Sequence, residues 1–175
     1  MQYKNKHTYI LLVILFLIFV FIITQNHLVV SSITDNAVHA SSPVSVPGSC
    51  GNYQKSTVTI NNSSIDVDVS DNACKRELGL SGRKTLAFGE GMIFVFDFPG
   101  NYGFWMQDMN FPLDIVWVDA DLHITGIEKN LSPQTYPEVF GRKYLAQYVL
   151  ELPAGYSDAN DLKVGNKIIF SEKTL

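Results

Sequence analysis

Histidine and cysteine are scarce in this chain of 175 residues, with four of the first and two of the second. Past residue 40 the only histidine is His123, so a multi-His zinc site, an HExxH helix and a two-His iron triad cannot be assembled there. Glycine-rich GxxxxGKS and GxGxxG loops are missing, which leaves nucleotide cofactors no recognisable cradle. No cofactor and no metal site are expected. Charged residues make up only 17% of the chain and the formal net charge is -4. With no concentrated basic surface, nucleic acid is not an expected partner. A hydrophobic content of 46% and an aromatic content of 12% exclude a disordered tail protein, a collagen-like repeat and a disulfide-dense miniprotein.

Apart from the Tyr9 hydroxyl, polar side chains are also missing from Tyr9 to Ile23, YILLVILFLIFVFII, which follows Lys4 and Lys6 and precedes the first acid, Asp35. Basic residues on the near side predict a cytoplasmic N-terminus and an exported C-terminal part. Extended to Thr8 and Thr24, the run makes a helix of about 25 Å, against a hydrocarbon core of ~30 Å. Residues 1–24 are therefore expected to be an uncleaved single-pass anchor, or else the apolar part of a cleaved signal peptide, with membrane contact through residues 9–24. Val38-His39-Ala40 offers a signal-peptidase pattern far beyond the run, and Val30-Ser31-Ser32 a nearer, weaker one. The expected location is the cell membrane with the C-terminal domain outside, or secretion if the leader is cleaved. Cys50 and Cys74 suit that compartment. A bridge between them would close about 25 residues and contribute roughly 3 kcal/mol in the chain-entropy model, with two free thiols as the alternative. Neither cysteine has a second ligand at CxxC spacing.

Residues 25–53, rich in Ser, Val, Pro and Gly, read as a flexible linker, and residues 54–175 as one domain. Thr57 to Ile60 and Ile65 to Val69 alternate as strands about an Asn61-Asn62-Ser63 turn. Asp71 is placed to cap a short helix that Gly79 stops. Further strands are expected at Met92 to Phe96, Tyr102 to Met106, Leu113 to Asp119, His123 to Lys129, Tyr144 to Leu152 and Lys167 to Phe170, with a helical turn near Ser157 to Leu162. The expected fold is β-rich α+β: a strongly twisted antiparallel or mixed sheet, or a partly closed barrel, with two short helices.

Chemistry concentrates in Gly103 to Asp119, GFWMQDMNFPLDIVWVD. Asp114 shares a strand face with Val116 and Val118, so its carboxylate must be paired or hydrogen-bonded. Asp108 precedes the Pro112 turn, and Glu151 ends a strand in apolar company. These acids beside Trp105 suit a ligand-binding surface of Trp105, Gln107, Asp108, Asp114 and Glu151. Two other readings stay open: a hydrolase, glycan-directed for instance, using an acidic pair from Asp108, Asp114 and Glu151, or a structural module in which these groups cap turn amides and Trp105 and Met106 fill the core. Ser81-Gly82-Arg83-Lys84 matches SxxK, but the flanking glycines and the missing SDN and KTG partners make it a solvated turn. His123, in a strand beside a surface turn, reads as a half-exposed strand residue and not as a triad base. Asn62 and Asn130 stand in N-x-S sequons, relevant only in a glycosylating host.

At these residues the chain resembles the domain of unknown function 192 family. That family's central motif is similar to FWMKNTxxPLDI, and this chain has FWMQDMNFPLDI, keeping Phe104, Trp105, Met106, Pro112, Leu113, Asp114 and Ile115. The likeness extends to GLSGR (Gly79 to Arg83), EGMIFVF (Glu90 to Phe96), VLELPAG (Val149 to Gly155) and KVGN (Lys163 to Asn166). Departures fall at Gln107 and Asp108, so a role resting on a basic group there does not carry over. The resemblance implies a small, often exported, β-rich domain and supplies no reaction and no catalytic residues. The sequence thus leads to an extracytoplasmic, membrane-tethered module that binds an envelope ligand or protein.

Overall fold

The computed structural model describes Ile10 and residues 50–171. The expected anchor or signal segment, apart from Ile10, and the expected linker up to Ser49 lie outside the described residues. Among the described residues, no helix is long and apolar enough to cross a membrane.

Strict alternation builds the first hairpin. β1 (Gln54–Ile60) and β2 (Ser63–Ser70) pair antiparallel with Val58 opposite Ile65, and Val58, Ile60, Ile65, Val67 and Val69 are all buried together. The turn uses Asn61 and Asn62, both at positive φ, a region Asn tolerates better than most residues. α1 (Ala73–Leu78) follows. Its cap is Asn72 and not the expected Asp71: the Asn72 side chain accepts from the Lys75 N–H at 3.0 Å, while Asp71 pairs with the Lys75 ammonium at 2.9 Å. Asn72 wins because its extended backbone sets its oxygen three residues before the amide it accepts from. Gly79, at φ 52, ends the helix. A disulfide joins Cys50 to Cys74 and so ties the entry of the domain to α1.

β3 (Glu90–Gly100) returns parallel to β2. The remaining elements are β4 (Leu113–Val118), β5 (Ile124–Leu131), β6 (Ala146–Pro153), the one-turn α2 (Tyr156–Ala159) and β7 (Ile168–Phe170). They form one seven-stranded mixed sheet in the order β5-β4-β6-β3-β2-β1-β7, curled into a half-barrel. Its two ends touch at an isolated bridge between His123 and Lys167, flanked by Ile124 N–H to the Asn166 carbonyl and Ile168 N–H to the Leu122 carbonyl, both 2.9 Å. The β-rich α+β class with a mixed sheet and two short helices is thus observed. Tyr102 to Met106 is not a strand: only Phe104 makes a ladder contact, an isolated bridge to Phe140.

The sheet buries both faces. The enclosed face carries Val67, Ile93, Val116, Val118, Leu150 and Leu152, joined by Tyr156, Leu162 and Ile168. The other carries Met92, Phe94, Ile115, Trp117 and Val149, covered by Leu80 and Met106 from the long connections. Each such large apolar side chain contributes about 1.5–3 kcal/mol by leaving water. β4 is buried at every position, which explains its run without a regular polar alternation.

Candidate functional site

The FWM segment is held by its neighbours and not by a ladder. Trp117 is fully buried in β4, and its indole N–H donates to the Tyr102 carbonyl at 2.9 Å. Phe104 and Phe140 exchange backbone hydrogen bonds of 3.0 and 2.8 Å. Gly141, at φ 80, lets the chain pass against the Trp117 ring, where a Cβ would stand 1.9 Å from Cζ2. Anchored in this way, the segment sends Met106 inward and leaves Trp105 42% exposed.

Between this segment and α1 lies a cavity of about 290 Å³. Its walls are Phe94 and Phe96 of β3, Tyr102, Phe104 and Trp105, with Arg76 and Glu77 of α1, and Glu151 of β6 also lines it. The rings brace one another: Phe96 stacks on Tyr102 at 3.5 Å between centroids, and Phe94 meets Phe104 edge-on at 4.8 Å. The Arg76 guanidinium lies 5.3 Å from the Phe96 centroid and donates to the Val95 carbonyl at 2.8 Å.

Glu151 is 5% exposed and sits between Met92 and Ile115 across its two neighbouring strands. Its Oε2 has no hydrogen-bond partner. Burial pushes the carboxyl up to about 8, opposed in part by the charge of Arg83, so at neutral pH it is predominantly the neutral acid. Arg83 is itself held by Asp68 at 2.8 Å. Burial would raise the Asp68 carboxyl, but hydrogen bonds from Lys55 and Arg83 outweigh it and hold the group below the usual carboxylate range. A neutral acid without a partner, beside an aromatic cavity, is the arrangement found where a carboxyl is kept as a hydrogen-bond donor or proton source.

The other sequence-derived candidates sit elsewhere. Asp114 is completely buried on the enclosed face; its carboxylate accepts from the Asn130 N–H at 2.8 Å, the Gly155 N–H at 3.2 Å and the Ser157 N–H at 2.8 Å. Its register partner on β6 is Leu152, whereas Glu151 pairs with Ile115, so the two acids point to opposite faces. Asp108, at φ 54, belongs to a separate shallow depression with Tyr53 and Arg83, and Leu78, Gly79 and Ser81 form the wall between it and the cavity. Gln107 is exposed and contributes its carbonyl, which accepts from the Ser81 hydroxyl at 2.9 Å. Of the five expected residues, Trp105 and Glu151 share the cavity; Gln107, Asp108 and Asp114 do not line it. Sequence reasoning missed Arg76, Phe94, Phe96, Tyr102 and Phe104. The period-two spacing of Phe94 and Phe96 was the signal that these rings share a face.

The model of the family DUF192, "Uncharacterized ACR", matches residues 56–170. The chain belongs to the DUF192 family. Two solved structures share the fold of this DUF192 domain. One, from Sinorhizobium meliloti 1021 and described as a candidate transcription regulator, is 26% identical with a TM-score of 0.65, over 69% of this chain and 96% of that one. The other, a protein of unknown function from Novosphingobium aromaticivorans DSM 12444, is 28% identical with a TM-score of 0.60, over 74% and 94%. No curated protein matches the chain.

Proposed function

We propose that this DUF192 protein is an extracytoplasmic, membrane-tethered ligand-binding module and that the aromatic cavity beside Glu151 is its site. The observation that carries the reading is the unpartnered, buried Glu151 carboxyl at a cavity walled by five aromatic rings. A buried polar group without a partner is costly unless another group reaches it, and a ligand placed among the rings can do so. The Cys50–Cys74 bridge and the apolar run Tyr9–Ile23 support the location outside the cytoplasm. A cavity of this size takes a small molecule or one side chain of a partner.

The test is a thermal-shift screen of the full-length chain in detergent against small amphiphilic molecules and envelope fragments. Ligands of the cavity should raise the melting temperature of the native chain saturably and lose that effect in Trp105→Ala. If every compound shifts the two proteins alike, the cavity is not the site. Alkylation in intact cells checks the compartment: Cys50 and Cys74 should resist a thiol reagent until a reductant is added.

A further inference from the structure

Resting on the reading of the aromatic cavity as a ligand site, we infer that its ligand is an organic cation: a primary ammonium or similar head on an apolar stem, with the head at Glu151 and the stem among Phe96, Tyr102 and Trp105.

The polar inventory of the cavity decides the class. Glu151 Oε2 is buried without a hydrogen-bond partner. Of the other polar side chains, Ser81 donates to the Gln107 carbonyl, Arg76 is half-buried and donates through Nη1 to the Val95 carbonyl, and Glu77 is exposed on α1. A polyol would bring several hydroxyls into an aromatic enclosure holding one open partner, and each unpaired hydroxyl costs free energy. An anionic head would find one buried donor, the protonated Glu151 carboxyl, and would otherwise lie against the electron-rich walls of five aromatic rings, which is unfavourable to it. A cation gains from the carboxyl, which supplies a counter-charge once ionised, and an aromatic lining suits an ammonium better than an anion. The Arg76 guanidinium already occupies the Phe96 ring, so the ammonium head is placed at Glu151 and not on that wall.

The charged groups around Glu151 are few. Arg83 bears on it electrostatically and pairs with Asp68, which Lys55 shares, so that cluster keeps one net positive charge; α1 presents Arg76 and Glu77 to the same cavity. Met92 and Ile115, the residues opposite Glu151 on β3 and β4, carry no charge. Because the free carboxyl holds its proton at pH 7, a bound cation must displace that proton to solvent. The proton leaves the Glu151 carboxyl as the ammonium enters, and no other bond changes.

Isothermal titration of the full-length chain at pH 7, in phosphate and in Hepes buffer, reads that proton directly. The probes are 2-phenylethylammonium, its neutral counterpart 2-phenylethanol, and phenylacetate. The expected result is binding of the ammonium with release of about one proton per molecule, at least tenfold weaker binding of the alcohol with no proton release, and no binding of phenylacetate. Glu151→Gln, which mimics the neutral acid in shape, should lose at least tenfold in ammonium affinity and all proton release. Trp105→Leu should weaken the ammonium and still release the proton. If the alcohol binds as well as the ammonium, without proton release and indifferent to Glu151→Gln but sensitive to Trp105→Leu, the cation inference is overturned and the cavity reading stands. If no probe responds to either substitution, both fall.

Discussion

Asp114 and Glu151 are both buried carboxylic acids, one register step apart on neighbouring strands, yet they point to opposite faces of the sheet and have opposite surroundings. Asp114 collects three backbone amides from the β5 end and from the start of α2. Glu151 collects none at Oε2 and faces a cavity. Burial alone therefore says little about what an acid does; the donors around it decide. Where the chain brings its own amides to the oxygens, the acid pins loops to the sheet. Where it brings rings and open space, an oxygen of the acid is left without a partner.

The contrast can be broken experimentally. Asp114→Ala strands three amide donors in the interior and should cost about 4 kcal/mol, measured by urea unfolding; a loss under about 1 kcal/mol would mean that the amides find other partners. Reducing the Cys50–Cys74 bridge should cost about 3 kcal/mol and act mainly on the α1 side, so hydrogen exchange should quicken in α1 before it does around Asn130 and Ser157. Glu151 supplies the pH test. Its folded carboxyl is raised to about 8 while the unfolded one titrates in the ordinary range, so the unfolded chain gives up its proton first and stability falls as pH rises between those two values. From pH 5 to pH 7 this amounts to about 2.5 kcal/mol, and Glu151→Gln should flatten that part of the stability profile. The smallest effect belongs to Trp105→Ala, which removes a side chain at the rim and should change stability by less than about 1 kcal/mol; a large loss would make Trp105 a core residue and remove it from the site.

Much of the fold was legible because β strands of this domain carry their faces in plain alternation. Val58, Ile60, Ile65, Val67 and Val69 announced the first hairpin, and Asn61-Asn62 its turn. The need for donors at Asp114 was legible for the same reason, since it stood in line with Val116 and Val118. The parallel return of β3 beside β2 was not, because periodicity sets the face of a strand and not its neighbour. Tyr102 to Met106 imitated a strand because its aromatic spacing comes from packing on Trp117 and Phe140, not from a ladder. Glu151 was legible as an acid in apolar company, but the cavity it lines joins β3, β6, α1 and the FWM segment, which meet only after folding. Asp108 and Asp114, close to Trp105 along the chain, were separated by a turn and by the two-sidedness of a strand.

Gly141 lines no part of the cavity, yet it bears on it. A methyl group there would press on the Trp117 indole, whose N–H fixes the Tyr102 carbonyl, and Tyr102 in turn is stacked on Phe96. A survey of variants scored only by loss of binding should therefore return position 141 among its hits, and proximity to the ligand would be the wrong way to explain it.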